Sequence, residues 1–445
     1  MRPISGLVSR RLAIPGRAVL RVEEWKTIAS TPRAMTPTPP PVERQAAPVA
    51  PISLVDRLSA PGPKRVLSLD GGGIRGLITL GYLQRLESVL RARSGRPDYV
   101  LADYFDLMGG TSTGSIIAAC LALGWPVDKV IGLYRTLAAD VFRPRRSLLG
   151  PLARLVGSKF DERPLEEAIR REIGEMRIDD PRFRCGLVVI AKRADTASVW
   201  QLTNVPGHRF FEMNRHLKIW EVLRASSAAP TYFDPQRMAD VGAGESAIFV
   251  DGSVSMHSNP ALQMFMVACL DGFGLRWPTG ADRILLCSVG TGAHDVAPSQ
   301  ESIRGYRQVQ WLGQLMVQLL RDASDLGETM LQWMSRSPTA REIDLQIGTL
   351  EGDHLTPEPL LTYLRYDVPL SVQGLHAVGV DVAESELSKL RALDGADQVE
   401  RLREIGEAAA ASQVRADHLP TAFDAHEPGP RDSSGSAPEP TAAER

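Results

Sequence analysis

The sequence predicts a three-layer α/β/α protein whose central sheet is mostly parallel and whose C-terminal part adds further helices. Short apolar segments of strand length alternate along the chain with longer segments whose apolar residues recur at helical spacing. Such alternation favours a parallel sheet covered by helices on both faces. Two of the junctions between a strand and a helix are rich in glycine. Such junctions lie at the carboxyl edge of a parallel sheet, where ligands bind.

Composition divides the chain into four predicted parts. Residues 1–62 are rich in proline and arginine, so we expect a disordered N-terminal segment. Residues 63–295 hold the alternating strands and helices and form the predicted core. Residues 296–414 have a mainly helical pattern and are expected to pack on that core. Residues 415–445 consist largely of small and polar residues with proline, which predicts a disordered tail.

The overall composition excludes several classes of function. A formal net charge of −2 gives no global attraction to nucleic acid. The four cysteines are widely spaced in apolar segments and form no C-x-x-C pair, which indicates buried thiols in a reducing compartment. We therefore expect a cytoplasmic protein without metal or other cofactor. No segment approaches the ~20 apolar residues that span a bilayer, so a lipid would be met only at a membrane surface.

The first strand and the glycine-rich turn after it open the core. Lys64–Leu69 predicts the strand, and Gly71–Gly76 predicts a turn that leads into a helix. The turn also fits the dinucleotide fingerprint, which needs an acidic residue about 20 residues further on, after a second strand. Asp103 follows a predicted strand, Tyr99–Ala102, and stands 27 residues past Gly76. The turn offers unpaired backbone N–H groups to either a phosphate or an oxyanion.

The second junction carries a G-x-S-x-G pattern from Gly110 to Gly114. An apolar run, Tyr104–Met108, leads into it, and a helical pattern leads out. A serine on such a turn lies in a strained conformation, with its hydroxyl exposed at the edge of the sheet. Gly110 and Gly114 let the strand and helix approach closely. Ser112 is therefore the candidate nucleophile, and the alternative is a loop that only caps the helix.

A third strand, over residues 247–250, ends in Asp251. Because the carboxyl ends of parallel strands meet at one edge, we expect Asp251 to face Ser112. A nucleophilic serine needs a base. Asp251 is one candidate. His257 is the other, because Ser, Asp, His is also the chain order of triad hydrolases.

The remaining elements follow from periodicity and from breaks at proline and glycine. Further helices are predicted over Asp161–Ile173, Leu217–Ala229, Val309–Trp333 and Ser385–Ala411. Further strands are predicted over Cys185–Ala191, Ser198–Leu202, Ile284–Val289, Ile343–Ile347 and Tyr363–Tyr366. Residues 143–160 interleave arginine with leucine. We favour a solvated lid there, and the alternative is a patch that makes transient contact with a membrane surface.

These motifs, in this order, resemble the patatin-like phospholipase family. The stretches that carry the resemblance are Asp70–Gly76, Gly110–Gly114, Asp251–Gly252, Ala102–Asp106, Ala225–Phe233, Asn259–Pro260 and Ser288–Gly292. The resemblance covers residues 64–295. It implies the patatin-like form of the α/β/α fold.

The resemblance implies a Ser-Asp dyad without a catalytic histidine, in which Ser112 is the nucleophile and Asp251 the general base. It also implies an oxyanion hole built from backbone N–H groups. The implied oxyanion residues are Gly71, Gly72, Gly73, Ile74, Arg75, Gly76 and Thr113. One departure stands next to the dyad: Ser253 follows Gly252, where the family usually has glycine or alanine. We expect its hydroxyl to crowd the dyad or to hydrogen-bond the carboxylate.

The activity that the resemblance implies is lipid acyl hydrolysis, in which fatty acids are released from glycerophospholipids or related acyl esters through an acyl-enzyme. Three alternatives stay open at this point. One is a carboxylesterase with a Ser112-Asp251-His257 triad. Another is a nucleotide-binding module that uses the Gly71–Gly76 turn. The third is a catalytically silent binding protein with an acyl-hydrolase fold.

Overall fold

The computed structural model describes residues 52–141, 160–293, 300–343, 346, 348–349 and 352–424. In this part of the chain, nine strands form one sheet. The strands are β1 Lys64–Leu69, β2 Leu107–Thr111, β3 Gly186–Arg193, β4 Ser198–Thr203, β5 Gln236–Met238, β6 Ala247–Asp251, β7 Ile284–Val289, β8 Ser335–Arg336 and β9 Leu361–Tyr366. Their order is β5-β6-β3-β2-β1-β7-β9-β8, with β4 paired to β3.

Helices connect these strands and cover the sheet. In the described residues they are α1 Leu54–Ser59, α2 Gly76–Ser94, α3 Leu101–Tyr104, α4 Thr113–Ala122, α5 Val127–Val141, α6 Arg163–Ile173, α7 Phe211–Asn214, α8 Ile219–Ser226, α9 Ala261–Cys269, α10 Gln300–Arg304, α11 Gln308–Trp333, α12 Val372–Ala377, α13 Glu384–Leu390 and α14 Val399–Gln413. Short 3₁₀ turns include Gly73–Arg75 and Gly252–Val254. No helix in the described ranges is both long and apolar enough to cross a bilayer.

The sheet is buried on both faces, as parallel sheets are. Every residue of β2, β7 and β9 is buried. Side chains alternate between the faces along each strand. Leu67 and Leu69 belong to the core shared with α2 and α4, whereas Val66 packs in the second core with Met264 of α9 and Leu331 of α11. These two cores are the two interfaces of the predicted three-layer architecture, which is confirmed.

The sheet is parallel in its centre and antiparallel at one side. β1 pairs in parallel with β2 and β7, and β2 pairs in parallel with β3. β6 runs antiparallel to β3, so the expectation that Asp251 ends a parallel strand is wrong. The four apolar residues before Asp251 could not reveal this, because direction is set by the pairing partner and not by the pattern of one strand.

The strand predicted before Asp103 is also wrong. Leu101–Tyr104 form the short helix α3. The Asp103 carboxylate accepts a hydrogen bond from the Val100 N–H at 3.1 Å, which closes the first turn of this helix. The acidic strand end that the dinucleotide hypothesis requires is therefore missing at this position.

The described chain is ordered at two places where the sequence predicts disorder. Leu58 of α1 is buried, and its carbonyl accepts a hydrogen bond from the Trp277 indole at 3.0 Å. Near the other end, Phe423 is buried within the main core. Apolar contacts thus order residues 54–59 and 416–423, which lie inside the predicted disordered segments.

The C-terminal part contributes strands as well as helices. β9 pairs in parallel with β7, so the sheet continues beyond residue 295, the predicted end of the core. The single helix predicted over Ser385–Ala411 is two helices, α13 and α14, because the chain leaves the helix to pass the glycine turn, where the Leu393 carbonyl accepts the Ile74 N–H at 2.9 Å. The lid or membrane patch predicted at 143–160 lies outside the described residues except for Phe160, which is buried. The predicted strand Ile343–Ile347 lies only partly within them and is not formed by Ile343 or Gln346.

Candidate active site

Ser112 occupies the sharp turn between β2 and α4. Its backbone has φ 54° and ψ −126°, a conformation that residues other than glycine rarely adopt. The Ser226 hydroxyl accepts the Ser112 N–H at 2.8 Å and donates to the Ile190 carbonyl at 2.6 Å. The Ser115 hydroxyl donates to the Ser112 carbonyl at 2.6 Å. Neighbouring side chains thus hold Ser112 in the strained geometry of a nucleophile elbow.

The glycines on either side of Ser112 are required by close contact between β2, α4 and β1. A Cβ atom on Gly110 would overlap the Gly114 backbone and lie 2.7 Å from the Ser115 nitrogen. A Cβ atom on Gly114 would lie 2.7 Å from the Asp70 carbonyl oxygen and would overlap the Leu69 carbonyl. Both positions lack the room for any side chain, as the G-x-S-x-G pattern predicts.

Asp251 meets Ser112 because β2 and β6 lie end to end along one edge of β3. Ile190 pairs with Thr111 of β2, and the next residue, Ala191, pairs with Asp251 of β6. β4 occupies the opposite edge of β3 continuously. The last residue of β6 therefore abuts the last residue of β2, directly before Ser112. The structure brings the two predicted catalytic residues together by a route that differs from the predicted one.

The environment of Asp251 favours its use as a base. Burial raises the pKa of this carboxyl to about 6. Hydrogen bonding to Ser112 and Ser253, and the charge of Arg224, oppose that shift. A carboxylate with a pKa closer to neutrality accepts a proton from serine more readily than an exposed aspartate does.

Ser253 fills the space between the carboxylate and the glycine turn. Its N–H donates to the Asp251 Oδ1 at 2.8 Å, and its hydroxyl also hydrogen-bonds that carboxylate. A Cβ atom placed on Gly71 would overlap the Ser253 hydroxyl oxygen and would lie 3.4 Å from the Ser112 Cβ. Ser253, Ser112 and Gly71 are thus immediate neighbours, and Ser253 lowers the basicity of Asp251.

The glycine turn leaves a small set of N–H groups available to a ligand. The N–H groups of Gly71 and Ile74 donate to the carbonyls of Ser258 and Leu393. The N–H groups of Arg75 and Gly76 donate within the turn, to the carbonyls of Gly72 and Gly73. In the described part of the chain, the N–H groups of Gly72 and Gly73 have no hydrogen-bond partner. Thr113 is the first residue of α4, so its N–H has no partner inside the helix. Of the seven predicted oxyanion residues, three therefore remain as candidate donors: Gly72, Gly73 and Thr113.

The Arg75 side chain braces the turn. It donates to the Gly72 carbonyl at 3.4 Å and to the Gly292 carbonyl at 3.1 Å. Burial lowers the pKa of its guanidinium to about 10. Arg75 therefore fixes the turn against the loop after β7.

A buried network of charged side chains holds the residue before the turn. Arg365 of β9 donates to both oxygens of Asp70, at 3.1 and 2.7 Å, and to Asp367 at 2.9 Å. Glu328 of α11 lies 3.4 Å from Arg365 and is bound by Arg341 at 2.6 and 3.0 Å. No sequence pattern predicts this network, because Asp70 is separated by more than 250 residues from its other members, which lie in the C-terminal part.

His257 lies near the site but is not joined to the dyad. Its carbonyl accepts a hydrogen bond from the Thr111 hydroxyl at 2.6 Å. Among the described residues, no hydrogen bond joins its ring to Ser112 or Asp251. Burial lowers the pKa of the ring. The hydrogen bond from the Thr111 hydroxyl to the His257 carbonyl thus accounts for the position of His257.

The site defines a class of protein. A serine on a strained strand-to-helix turn, a buried carboxylate and free N–H groups at one sheet edge form the arrangement of a serine acyl hydrolase. Residues 67–265 match the family model described as patatin-like phospholipase. The protein is accordingly an enzyme of the lipid hydrolase class.

Individual relatives come from plants and bacteria. Patatin-17 of Solanum cardiophyllum is 27% identical over 270 residues, which cover 58% of this chain and 68% of patatin-17. Patatin-T5 of Solanum tuberosum is 26% identical over 335 residues, or 73% of this chain and 84% of that protein. A cGAMP-activated phospholipase of Escherichia coli (strain TW11681) is 32% identical over 198 residues, or 44% of this chain and 53% of the relative. The match therefore spans about half of the length of this bacterial relative.

Proposed function

We propose that the chain hydrolyses fatty acyl esters of glycerophospholipids, or of related lipids, through a Ser112–Asp251 dyad and an acyl-enzyme intermediate. The observation that carries the proposal is the end-to-end meeting of β2 and β6, which sets Asp251 beside the strained Ser112. The free N–H groups of Gly72 and Gly73 beside them support it further. The family of residues 67–265 and the phospholipase relative support a lipid acyl ester as the substrate.

Acylation begins with proton transfer between the two dyad residues. Asp251 takes the proton of the Ser112 hydroxyl while the Ser112 oxygen attacks the ester carbonyl carbon. The carbonyl electron pair moves to oxygen, and the N–H groups of Gly72, Gly73 and Thr113 stabilise the resulting oxyanion. In comparable sites one such donor is worth about 2.7–4 kcal/mol.

Acylation ends when the tetrahedral intermediate collapses, the bond to the alcohol breaks, and protonated Asp251 gives its proton to the leaving oxygen. Deacylation repeats these steps with water. A water molecule then loses a proton to Asp251 and attacks the acyl carbon. Collapse releases the fatty acid and restores the Ser112 hydroxyl. The products are a free fatty acid and the alcohol, a lysophospholipid when the substrate is a diacyl phospholipid.

Two measurements test the dyad: labelling by a fluorophosphonate probe and release of fatty acid from phosphatidylcholine vesicles. We expect Ser112→Ala to abolish both. We expect Asp251→Asn to slow fatty acid release by roughly 10²–10⁴-fold, the range that general base catalysis contributes. His257→Gln is the matched control, because it keeps the carbonyl that Thr111 binds, and it should retain activity.

The possible outcomes separate the competing functions. Loss of activity in His257→Gln, together with loss in Asp251→Asn, would replace the dyad with the Ser112-Asp251-His257 triad. Wild-type protein that neither reacts with the probe nor releases fatty acid, yet binds NAD(P) saturably, would support the nucleotide-binding alternative instead.

A further inference from the structure

We propose that the N-terminal half of α11 is the lipid contact surface that seats the catalytic edge of the sheet on a membrane. This inference rests on the proposed function. It assigns membrane contact to described residues of the C-terminal part, and it is independent of the basic segment at 143–160.

The direction of α11 places its N-terminal half beyond the catalytic edge. Glu328 of α11 lies 3.4 Å from Arg365, which binds Asp70 directly after β1, so this part of α11 lies near the edge that carries Ser112. The helix ends at Trp333, next to β8, which pairs with the first residues of β9 at the opposite edge. α11 therefore runs from the catalytic edge to the amino edge of the sheet.

The length of α11 makes it overhang the site. A Cβ atom on Gly327 would lie 3.9 Å from the Cβ of Leu262, the second residue of α9. α9 starts shortly after Asp251, so Gly327 lies at the level of the catalytic edge. The residues from 308 to 326 extend past this level by roughly 28 Å at 1.5 Å per residue.

This overhanging half exposes an apolar stripe. Trp311, Leu315 and Leu319 are spaced by four residues and share one side of the helix. Leu319 is 67% exposed and Leu315 is 47% exposed, in contrast to Leu331 in the same helix, which is fully buried. A row of large exposed apolar side chains at an enzyme's substrate edge indicates a binding surface.

The charges around the stripe favour a lipid surface with anionic headgroups. Residues 308–320 contain no aspartate, glutamate, lysine or arginine. Arg304 and Arg307 are exposed just before the helix, and the first acidic residue within it is Asp322. Arginines flanking an uncharged apolar stripe suit anionic headgroups above acyl chains.

An aromatic pair at the same end supports the choice of a lipid over a second copy of the chain. Tyr306 and Trp311 pack edge to face, with ring centroids 5.4 Å apart. Tyrosine and tryptophan are enriched at the boundary between headgroups and acyl chains. The exposed Val254 and Met256 follow directly after the dyad loop and add apolar surface near the site.

The other half of α11 anchors the stripe to the active site. Glu328 is buried and ion-paired with Arg341 and Arg365. Arg365 in turn binds Asp70, the residue before the glycine turn. These ion pairs connect the stripe rigidly to the glycine turn. Contact of the stripe with lipid would therefore fix the orientation of the active site.

Vesicle cosedimentation tests the proposal in a Ser112→Ala background, where lipid is not consumed. The vesicles contain phosphatidylcholine and phosphatidylglycerol. We expect Leu315→Glu and Leu319→Glu each to weaken binding by roughly tenfold or more, because a charge replaces an inserted leucine. Leu270→Glu is the matched control, since Leu270 is 50% exposed after α9 at the amino edge. It should bind as the parent does.

A second readout compares a monomeric p-nitrophenyl butyrate substrate with phospholipid vesicles, using active protein. We expect Leu319→Glu to retain hydrolysis of the monomeric ester and to lose hydrolysis of vesicles. Unchanged vesicle binding would overturn the inference, and a changed oligomeric state in light scattering would then assign the stripe to a second copy. Absence of ester hydrolysis in the wild type would instead overturn the proposed function.

Discussion

Asp251 is a weak base in water and a stronger one at its position in this sheet. An exposed aspartate has a pKa near 3.9, so it is ionised at neutral pH but draws a serine proton weakly. Burial raises the pKa of Asp251 to about 6 while leaving the carboxylate largely ionised at pH 7. In the proposed dyad, Asp251 therefore combines the ionised state that a base needs with increased basicity, so that one carboxylate would take the place of a histidine.

The pH dependence of turnover follows from this pKa. We expect kcat/KM for a monomeric p-nitrophenyl ester to fall as the pH is lowered through about 6, because protonated Asp251 cannot accept the Ser112 proton. In Ser253→Ala the acid limb should move to higher pH, because the Ser253 hydroxyl lowers the pKa of Asp251. The measurement is the pH profile of kcat/KM for both proteins.

A control from the same loop separates this effect from general disturbance. Ser255 donates to the Gly252 carbonyl at 2.6 Å and does not hydrogen-bond the carboxylate. Ser255→Ala should therefore keep the wild-type midpoint. An acid limb that stays in place in Ser253→Ala would show that the Ser253 hydroxyl does not act on Asp251.

Single residues were the part of the site that the sequence predicted best. Ser112, Gly110 and Gly114 follow from one local turn, whose steric needs act on neighbours in the chain. The role of each N–H group in the glycine turn could not be predicted, because it depends on distant carbonyls. The Ile74 N–H, for example, donates to the carbonyl of Leu393, more than 300 residues away in the chain.

At the scale of elements, the glycine turn depends on β9 and α11. Asp70 follows β1 in the interior, and Arg365 binds both of its oxygens. Removing Arg365 would leave Asp70, Asp367 and Glu328 without their shared partner in a buried setting. Breaking such a buried pair by removing one member typically costs about 3–5 kcal/mol.

We therefore expect Arg365→Met to reduce the free energy of unfolding by about 3 kcal/mol or more. Urea denaturation at neutral pH measures this value, and hydrolysis of a monomeric ester reports the loss of the turn. Arg336→Met is the control, since Arg336 and Asp282 form an exposed pair, 3.1 Å apart. Exposed pairs contribute about 0–1 kcal/mol. Equal effects of the two substitutions would contradict a supporting role for Arg365.

Strand direction was the element-scale feature that the sequence did not predict. The existence and bounds of β7 follow from its apolar run, and the structure forms it over the predicted residues. β6 looks similar in sequence, yet it runs antiparallel because it fills the edge of β3 left open beyond β2. This free edge exists only because β3 extends a few residues beyond the end of β2. It therefore depends on two strands together and not on the sequence of β6 alone.

At the scale of the whole molecule, the last long helix completes the packing of the first one. α14 crosses α2 at Gly81 and Gly406, where the two backbones come into direct contact. The sequence predicted a helical part packed on the core but not this contact. The reason is that glycine inside a helix usually lowers the stability of that helix. Only the close crossing of α2 and α14 explains why glycine stands at these two positions. Because α2 begins at the glycine turn, α14 also supports the position of the proposed oxyanion donors.

Two helical glycines allow this packing to be tested by substitutions of opposite sign. A Cβ atom on Gly406 would lie 2.7 Å from the Ile78 carbonyl oxygen, and backbone atoms cannot move aside easily. We expect Gly406→Ala to lower the free energy of unfolding by about 1–3 kcal/mol, the usual range for overpacking. Gly132 in α5 has no atom within 4 Å of its Cβ position, so Gly132→Ala should raise stability by about 0.5–1 kcal/mol. Urea denaturation of both variants measures these values, and a gain in stability for Gly406→Ala would contradict the crossing of α2 and α14.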